Sequence, residues 1–344
     1  MSAAIALALK VTLMLLEAPG GALAQGAARG RGKNVLKRSK PTPGDLDRSI
    51  LLDWREGSPQ LQQVWSDTSA SVSAWEGVTV GAEGRVVKIK LGSQDLTGVV
   101  PAALGGLTAL TVLDLSNNKL LGRLPAALGN LAALEVLELT GNLLPSVPKD
   151  LGQLAVLKGL FLGGNKLKSV PAELGKLTAL TRLMLWRNQL TSVPAELGGL
   201  AALQSLNLGF NKLTSVPAEL GRLTASRWLD LAGNRLTSVP AELGTLTALE
   251  SLDLAANRLT SVPAELGGLT ALQFLDLYNN QLTSLPAELG DLTALTWFDV
   301  GDNRLTSVPA DLRGLTALVT LKLARNVLRG VPAELGVGRR RLTR

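Results

Sequence analysis

The fold is decided by a stretch that runs from Leu259 to Asn280 and reads LTSVPAELGGLTALQFLDLYNN. Its first fourteen residues recur almost unchanged in the blocks on either side. The copying stops at Phe274, Asp276 and Tyr278, which lie at alternate positions between leucines. A frame copied this closely, with variation at alternate positions, indicates a repeat architecture in which one surface differs from turn to turn.

The repeat has a nearly constant period. After one spacing of 24 residues, every interval between the asparagines of the pattern L-x-x-L-x-L-x-x-N-x-L is 23. A degenerate copy, RVVKIKLGSQDL, precedes them with Gln94 in the asparagine place. We therefore count eleven turns between about 86 and 336. The ten asparagines are Asn118, Asn142, Asn165, Asn188, Asn211, Asn234, Asn257, Asn280, Asn303 and Asn326.

Each turn predicts one short strand followed by a tight turn. The alternation of Leu272, Leu275 and Leu277 is typical of a strand, and identical turns stacked in register give a parallel sheet. The asparagine after the strand is expected to be buried and bonded to the backbone. Pro263 suits the start of a short helical or 3₁₀ turn, which Gly267 can end. The predicted fold is an α/β solenoid with a curved parallel sheet on its concave face and short helical or 3₁₀ turns on its convex face.

These residues resemble the leucine-rich-repeat family over about 250 of the 344 residues. LTGVVPAALGGL and LLGRLPAALGNL resemble the plant-type repeat of receptor-like ectodomains, whereas later turns with LTSVPAELG resemble the 23-residue type of intracellular signalling scaffolds. The segment from Leu51 to Leu91 is similar to the family's N-terminal cap, but Val80 stands where the plant pattern has a cysteine. The resemblance implies a cap held by the packing of Trp54, Trp65 and Trp75. It gives four segments: a signal-like or disordered basic leader (1–44), a cap (45–85), the solenoid (86–336) and a basic tail (337–344).

Composition removes most enzyme chemistry. The chain has no cysteine and no histidine, so it offers no thiolate nucleophile, imidazole base or Cys/His metal site. We predict a protein that is not an enzyme and has no cofactor and no metal. A hydrolase that uses paired carboxylates remains as a remote alternative.

The charge is unevenly distributed along the chain. The net charge is +7, but residues 1–44 carry seven Lys/Arg and one Glu, and the last seven residues carry four arginines, which leaves −3 between them. An acidic body argues against nucleic-acid binding. The basic tails keep open a second interpretation, in which they tether an intracellular scaffold to RNA or to an anionic membrane surface.

The two ends leave location and self-association as expectations. The N-terminal apolar run ends in Ala22-Leu23-Ala24, which fits a secretory cleavage site, but Lys10 interrupts it. The lack of cysteine and of a glycosylation acceptor favours a cytoplasmic location over a secreted one, and no segment is long enough to span a membrane. After Leu335 no further repeat leucines follow, so we expect an open C-terminal strand edge, with either fraying of the last turn or weak self-association through it.

The varied positions identify a candidate binding face. Leucines point into the core, and the residues between them line the concave face. Seven of the eight aromatics in the repeats fall there, and only Phe298 replaces a core leucine. Exposed aromatics gathered on one face favour protein or peptide binding, although drift at exposed positions is the alternative. The candidate residues are Phe161, Arg182, Met184, Trp186, Phe210, Trp228, Asp230, Asp253, Phe274, Asp276, Tyr278, Trp297 and Asp299.

The four aspartates of that set occupy one strand position in successive turns. Neighbouring strands lie about 4.8 Å apart, so these charges repel and favour a cation. A purely structural aspartate is an equally open interpretation. The convex glutamates, one in each turn from Glu173 to Glu288, are interpreted as a solubility feature. The sequence therefore predicts a recognition module, in signalling or defence-like recognition, whose partner is a protein or peptide with basic and apolar groups.

Overall fold

One long sheet runs through the part of the chain that the structure, a computed structural model, describes: residues 40–330 and, for the backbone alone, 341–343. The first two strands pair antiparallel. From the second strand onward each turn adds one parallel strand in register, which gives a 13-stranded sheet. Its strands are β1 (Val78–Val80), β2 (Val86–Lys90), β4 (Val112–Asp114), β6 (Val136–Glu138), β7 (Gly159–Phe161), β8 (Arg182–Met184), β9 (Ser205–Asn207), β10 (Trp228–Asp230), β11 (Ser251–Asp253), β12 (Phe274–Asp276), β13 (Trp297–Asp299), β14 (Thr320–Lys322) and β15 (Arg341–Thr343). A second sheet pairs β3 (Thr97–Gly98) with β5 (Lys119–Leu120).

The chain returns from each strand through a short 3₁₀ turn. In the turn Ala264–Gly268 the first residue follows Pro263, whose φ of −69° and ψ of 147° place it before the turn. Gly267 lies inside the turn instead of ending it. Glycine is needed there because a Cβ would collide with the carbonyl oxygen of Glu288 in the next turn. The equivalent 3₁₀ turns are Ala102–Gly106, Ala126–Asn130, Lys149–Gln153, Ala172–Lys176, Ala195–Gly199, Ala218–Arg222, Ala241–Thr245, Ala287–Asp291 and Ala310–Gly314.

The repeat asparagines form a column that joins successive turns, which we call the asparagine ladder. The amide of Asn280 donates to the carbonyls of Leu277, 3.1 Å away, and Leu254, 3.0 Å away. Its Oδ1 accepts from the backbone N–H of Leu259 at 3.0 Å. The same pattern holds from Asn118 to Asn326, although the side chain of Asn326 is only half-buried. The predicted backbone bonding of this amide is confirmed.

Leucines fill the space between sheet and turns. Phe298 is fully buried in register with Leu275, as predicted for a leucine replacement. Ser226 is also buried, at the position that Leu203 and Leu249 occupy in neighbouring turns. Its hydroxyl donates to the carbonyl oxygen of Leu203 at 3.2 Å. Ser226, a polar residue where the neighbouring turns have leucine, therefore has a hydrogen-bond partner.

Three tryptophans pack in the N-terminal cap, which contains α1 (Pro43–Glu56), α2 (Pro59–Val64) and two 3₁₀ turns, Val72–Ala74 and Ala82–Gly84. The ring of Trp65 meets Trp54 edge-on at 6.0 Å and stacks on Trp75 at 5.1 Å. The buried carboxylate of Asp47 pairs with Arg85 at 2.9 Å, which ties α1 to the start of the sheet. Packing and one ion pair thus hold this segment without a disulfide.

The C-terminal edge differs from the expectation. The expected open strand is β14, but β15 pairs with it in parallel, with Leu321 opposite Leu342. A strand that ends at Thr343 supplies backbone partners for β14 from within the chain. The expected edge for self-association is therefore not open at β14, and self-association itself stays a prediction.

Candidate binding face

Two columns of side chains lie on the concave face because each strand turns its central leucine inward. The parallel register aligns the outer residues of successive strands. The first column, which we call the aromatic ladder, contains Trp228, Ser251, Phe274 and Trp297. The second, which we call the carboxylate ladder, contains Asp230, Asp253, Asp276 and Asp299.

The C-terminal end of the aromatic ladder is a closed stack. Phe274 and Trp297 lie face to face with ring centroids 4.2 Å apart and planes within 4°. Lys322 covers the ring of Trp297, with Nζ 4.6 Å from its centroid, and the same Nζ is 3.2 Å from a carboxylate oxygen of Asp299. A cation on an aromatic face with a carboxylate beside it is a favourable arrangement. The chain thus satisfies Trp297 and Asp299 with its own lysine.

A second aromatic cluster lies in the turns that follow β8 and β9. The guanidinium of Arg187 is 5.7 Å from the ring centroids of both Trp186 and Phe210. Glycines make room for these rings: a Cβ on Gly163 would collide with Nε1 of Trp186, and one on Gly233 would stand 2.8 Å from the ring of Phe210. The rings therefore lie along the surface, across neighbouring turns.

Phe210 is held in a costly backbone conformation. Its φ is 55°, in the left-handed region, and its side chain is 43% exposed. The same repeat position is left-handed in the nine other turns that carry the repeat asparagine. Arg187, Ala256, Asp302 and Arg325 fill it in four of them, and glycine or asparagine fills it in the other five. Glycine and asparagine adopt the conformation more easily than a bulky side chain does. An exposed phenylalanine in this conformation is therefore a candidate contact residue.

The carboxylate ladder corrects the expectation that these aspartates are exposed. Asp253, Asp276 and Asp299 are 2%, 8% and 5% exposed, whereas Asp230 is half-buried. Each of the four accepts a hydrogen bond from the backbone N–H two residues later, as Asp276 does from Tyr278 at 2.9 Å. The carboxylate folds back to cap the bend after its strand, and this bond draws it away from solvent.

Burial and neighbouring like charges raise the pKa of carboxylates in this column. Burial, and next the charge of Asp253, raise the pKa of Asp230 from its ordinary 3.8 to about 7. The same two causes in the same order raise the pKa of Asp276 to about 7. Further along the sheet, burial raises the pKa of Glu138 to about 7 as well, with Asp114 adding to it. The column therefore carries less negative charge at neutral pH than its residues suggest, and a nearby cation would stabilise its ionised form.

The predicted site residues differ widely in exposure. Phe210 and Tyr278 are exposed, and Arg182, Met184, Trp186, Trp228, Asp230, Phe274 and Trp297 are half-buried. Phe161 is buried at 8% exposure, contrary to expectation, because its ring lies against Gly159 of its own strand, where a Cβ would stand 2.6 Å from the ring. Burial lowers the pKa of the Arg182 guanidinium. The parts that remain open to a partner are therefore the other aromatics together with Arg182, Met184 and Asp230.

Sequence reasoning left three residues of this face out of the candidate set: Lys322, Arg187 and Ser251. Lys322 is in register with Asp299, so the repeat pattern alone could have placed it beside the stack. Arg187 occupies the left-handed position before the asparagine, which the repeat spacing also marks. The signal for Ser251 is its small size between Trp228 and Phe274 in one column.

Two kinds of site find no support in residues 40–330. No group of three or more carboxylates there is arranged to hold a metal ion. Within the same range, no helix has the length and apolar character needed to cross a bilayer.

Comparisons with known proteins agree with this architecture. Sequence models described as leucine-rich repeat region and leucine rich repeat match residues 85–219 and 227–282. The ectodomain of the Arabidopsis receptor kinase HAESA, solved with the peptide hormone IDA and the co-receptor SERK1, is 35% identical with a TM-score of 0.72, over 82% of this chain and 50% of that chain. InlJ from Listeria monocytogenes is 26% identical with a TM-score of 0.60, over 70% of this chain and 49% of that chain.

A curated relative covers less of the chain. Polygalacturonase inhibitor 1 of Oryza sativa subsp. japonica is 34% identical over 74 residues, which is 21% of this chain and 22% of the rice protein. The chain thus spans about a fifth of that relative and about half of the HAESA and InlJ chains. The repeat pattern, the stacked parallel sheet and these matches together identify the chain as a leucine-rich-repeat protein whose repeats resemble those of plant receptor ectodomains.

Proposed function

We propose that the protein is a recognition module that binds a protein or peptide on its concave face, between Phe161 and Lys322. The observation that carries the proposal is Phe210, which is exposed and left-handed at a position where the other nine left-handed residues are not aromatic. Phe274, Trp297 and Trp186 add aromatic area on the same face. Aromatic side chains of this kind supply most of the binding energy in many interfaces.

The similarity to HAESA supports a peptide or protein partner, since that ectodomain was solved with a peptide hormone. The carboxylate ladder offers no support for a carboxylate hydrolase, because its members accept hydrogen bonds from the backbone at the bends. The fold is a typical scaffold for recognition. We assign the protein a role in signalling or defence-like recognition.

The partner is to be captured with a photo-crosslinking amino acid at position 205, in register with Trp228 on the concave face, with position 265 on the convex face as the control. Affinity for the captured partner is then measured for Phe210→Asn. We expect binding to weaken by about 2 kcal/mol, while the free energy of unfolding stays level or rises by up to about 1 kcal/mol, because asparagine tolerates the left-handed backbone.

The matched controls are Glu242→Ala and Glu265→Ala, which change exposed side chains of the convex 3₁₀ turns. Neither should alter affinity. If these variants abolish binding and Phe210→Asn does not, the site lies on the convex side and the proposal is wrong.

Tethering and location are tested on the same protein. The basic leader lies outside the described residues, so tethering by the tails stays a prediction, and salt-dependent binding lost on deletion of residues 26–40 would support it. We keep the cytoplasmic location as a proposal. Imaging of a C-terminally tagged chain checks it, and N-terminal sequencing that shows cleavage after Ala24 would refute it.

A further inference from the structure

Two tryptophans of the aromatic ladder are related by three repeats but have different surroundings. A shift of 69 residues, which is three periods of 23, carries Trp297 onto Trp228 and Asp299 onto Asp230. It carries Lys322 onto Asp253. The place of the lysine that covers Trp297 is therefore taken by a carboxylate beside Trp228.

Asp299 and Asp230 also differ in how far they are exposed. Asp299, paired with Lys322, keeps 7% of its side-chain surface exposed, whereas Asp230 is half-buried. Within residues 40–330, no ring or cation makes a contact with the ring of Trp228. The arrangement that is complete around Trp297 lacks its cation around Trp228.

Phe274 forms the other side of this gap. One face of its ring stacks on Trp297, and the near-parallel planes direct the opposite face toward β11. There Ser251 separates Phe274 from Trp228, so two strand spacings, about 9.6 Å, lie between the two aromatic residues. A ring on each side of an aliphatic chain needs about 7–8 Å between the rings. The separation of the two strands therefore matches one extended side chain held between two rings.

We infer that this gap, above Ser251 and between Trp228 and Phe274, binds the side-chain ammonium of a lysine from the partner protein. The inference rests on the proposed function and specifies the chemistry of the partner at one point of the face. The lysine would pair with Asp230, as Lys322 pairs with Asp299. Its charge would also offset the repulsion between Asp253 and its neighbours.

Lysine is a better fit than an apolar group for two reasons. The chain itself places a lysine against the equivalent ring and carboxylate at the C-terminal end. Asp230 is half-buried beside the gap, so an apolar occupant would cover its carboxylate without supplying a charge to pair with it.

The test uses the full chain with its tryptophan indoles labelled with ¹⁵N, and two probe peptides that differ at one residue. Both have a glycine backbone, and the central residue is lysine in one and Nε-acetyl-lysine in the other. We expect the lysine peptide to shift the indole signal of Trp228 saturably and leave those of Trp54, Trp65 and Trp75 unchanged. The acetylated peptide should bind about tenfold more weakly or worse. Equal binding of the two, or no saturable shift at Trp228, overturns the inference.

A variant that fills the gap sharpens the test. Asp253→Lys rebuilds the Lys322 arrangement beside Trp228 and should abolish binding of the lysine peptide. Glu265→Lys changes the charge by the same amount on the convex side and should bind as the wild type does. Trp228→Leu, which keeps apolar volume but removes the ring, should weaken binding about tenfold. Wild-type binding by Asp253→Lys and Trp228→Leu would refute the assignment.

The captured partner separates this inference from the proposed function. If Phe210→Asn weakens partner binding but Asp253→Lys and acetylation of the partner's lysines do not, the concave face binds the partner and the lysine assignment is wrong. If the lysine peptide binds at Trp228 but no concave variant affects the partner, the gap is assigned correctly and the proposed function is wrong.

Discussion

The asparagine ladder and the carboxylate ladder are both columns of mostly buried polar groups, but their hydrogen bonds reach different distances along the chain. Asn257 bonds to Leu231 and Leu236 of the preceding turns as well as to Leu254 of its own. In the carboxylate ladder, the N–H of Ala255 donates to the carboxylate of Asp253 within one turn. The first column therefore joins turns throughout, whereas the second caps single bends, joins a neighbouring turn at Asp299 through Lys322, and sets like charges beside each other.

This difference separates a folding element from an element that is available for function. Neutral amides repeat along the sheet without repulsion and satisfy buried backbone groups. Ionised carboxylates at the same spacing repel each other, and burial makes the repulsion stronger. A column that stabilises the solenoid only locally, and that would gain from a cation, fits a binding face better than a core.

The largest effect is expected from Asn257→Ala. The substitution leaves the N–H of Leu236 without its partner, and an orphaned buried group costs about 1–3 kcal/mol. It also removes one of the two amide donors from the carbonyls of Leu231 and Leu254, at about 0.5–1.5 kcal/mol for each lost bond. We expect the free energy of unfolding to fall by about 3 kcal/mol or more, as measured by urea denaturation at several wavelengths. Asn326→Ala makes the same change at a half-buried end and should cost clearly less. Equal losses would mean that burial does not set the strength of this ladder.

An effect of intermediate size is expected from Asp276→Asn. The pKa of Asp276 is raised from 3.8 to about 7 in the folded protein, first by burial and then by Asp253. The folded state therefore holds a proton that the unfolded state loses near pH 4, so the wild type loses stability as the pH rises from about 4 to about 7. Asparagine keeps the acceptor for Tyr278, as Asn207 does for Gly209 at the same position.

The variant should thus be more stable than the wild type by about 1 kcal/mol or more at pH 8, and by less at pH 5. Urea denaturation at the two pH values measures the difference. Asp291→Asn, which makes the same change to an exposed carboxylate in a convex 3₁₀ turn, serves as the control. A variant that is less stable than the wild type at pH 8 would show that the ionised carboxylate of Asp276 stabilises the folded protein, contrary to the prediction.

The repeat frame was predictable from the sequence because its reasons are local and recur in every turn. Each asparagine, proline and leucine has the same neighbours in every block, so Asn280 and Phe298 could be assigned before the structure was known. The role of Gly267 could not, since it depends on the distance to Glu288 in the next turn. The burial of Asp276 was missed for a similar reason: its carboxylate accepts from the N–H of Tyr278, and strand alternation says nothing about that bond.

Backbone pairing at the end of the sheet explains β15, a strand that the sequence did not predict. β15 lies where the leucine pattern has already stopped, and its backbone pairs with β14 without the usual leucine spacing. Backbone pairing needs only an open edge and an extended segment. On the binding face, the gap above Ser251 was equally hidden, because it is defined by the difference between two equivalent turns and not by any motif.

The smallest expected effect is a difference in stability between alanine variants of the two tryptophans of the aromatic ladder, which lies beside the carboxylate ladder. Trp297→Ala removes a ring that stacks on Phe274 and is covered by Lys322, and such contacts are worth about 0.5–1.5 kcal/mol each. Within residues 40–330 Trp228 makes neither contact, so Trp228→Ala should lower the free energy of unfolding by about 1 kcal/mol less than Trp297→Ala does. Urea denaturation of both variants at pH 7 measures this difference. In Trp297→Ala the ammonium of Lys322 also loses its ring and depends on Asp299 alone, so adding Lys322→Ala to it should cost less than Lys322→Ala costs in the wild type. If Trp228→Ala is the more destabilising of the two, its ring has folding contacts of its own, and the open gap beside it is not a site held ready for a partner.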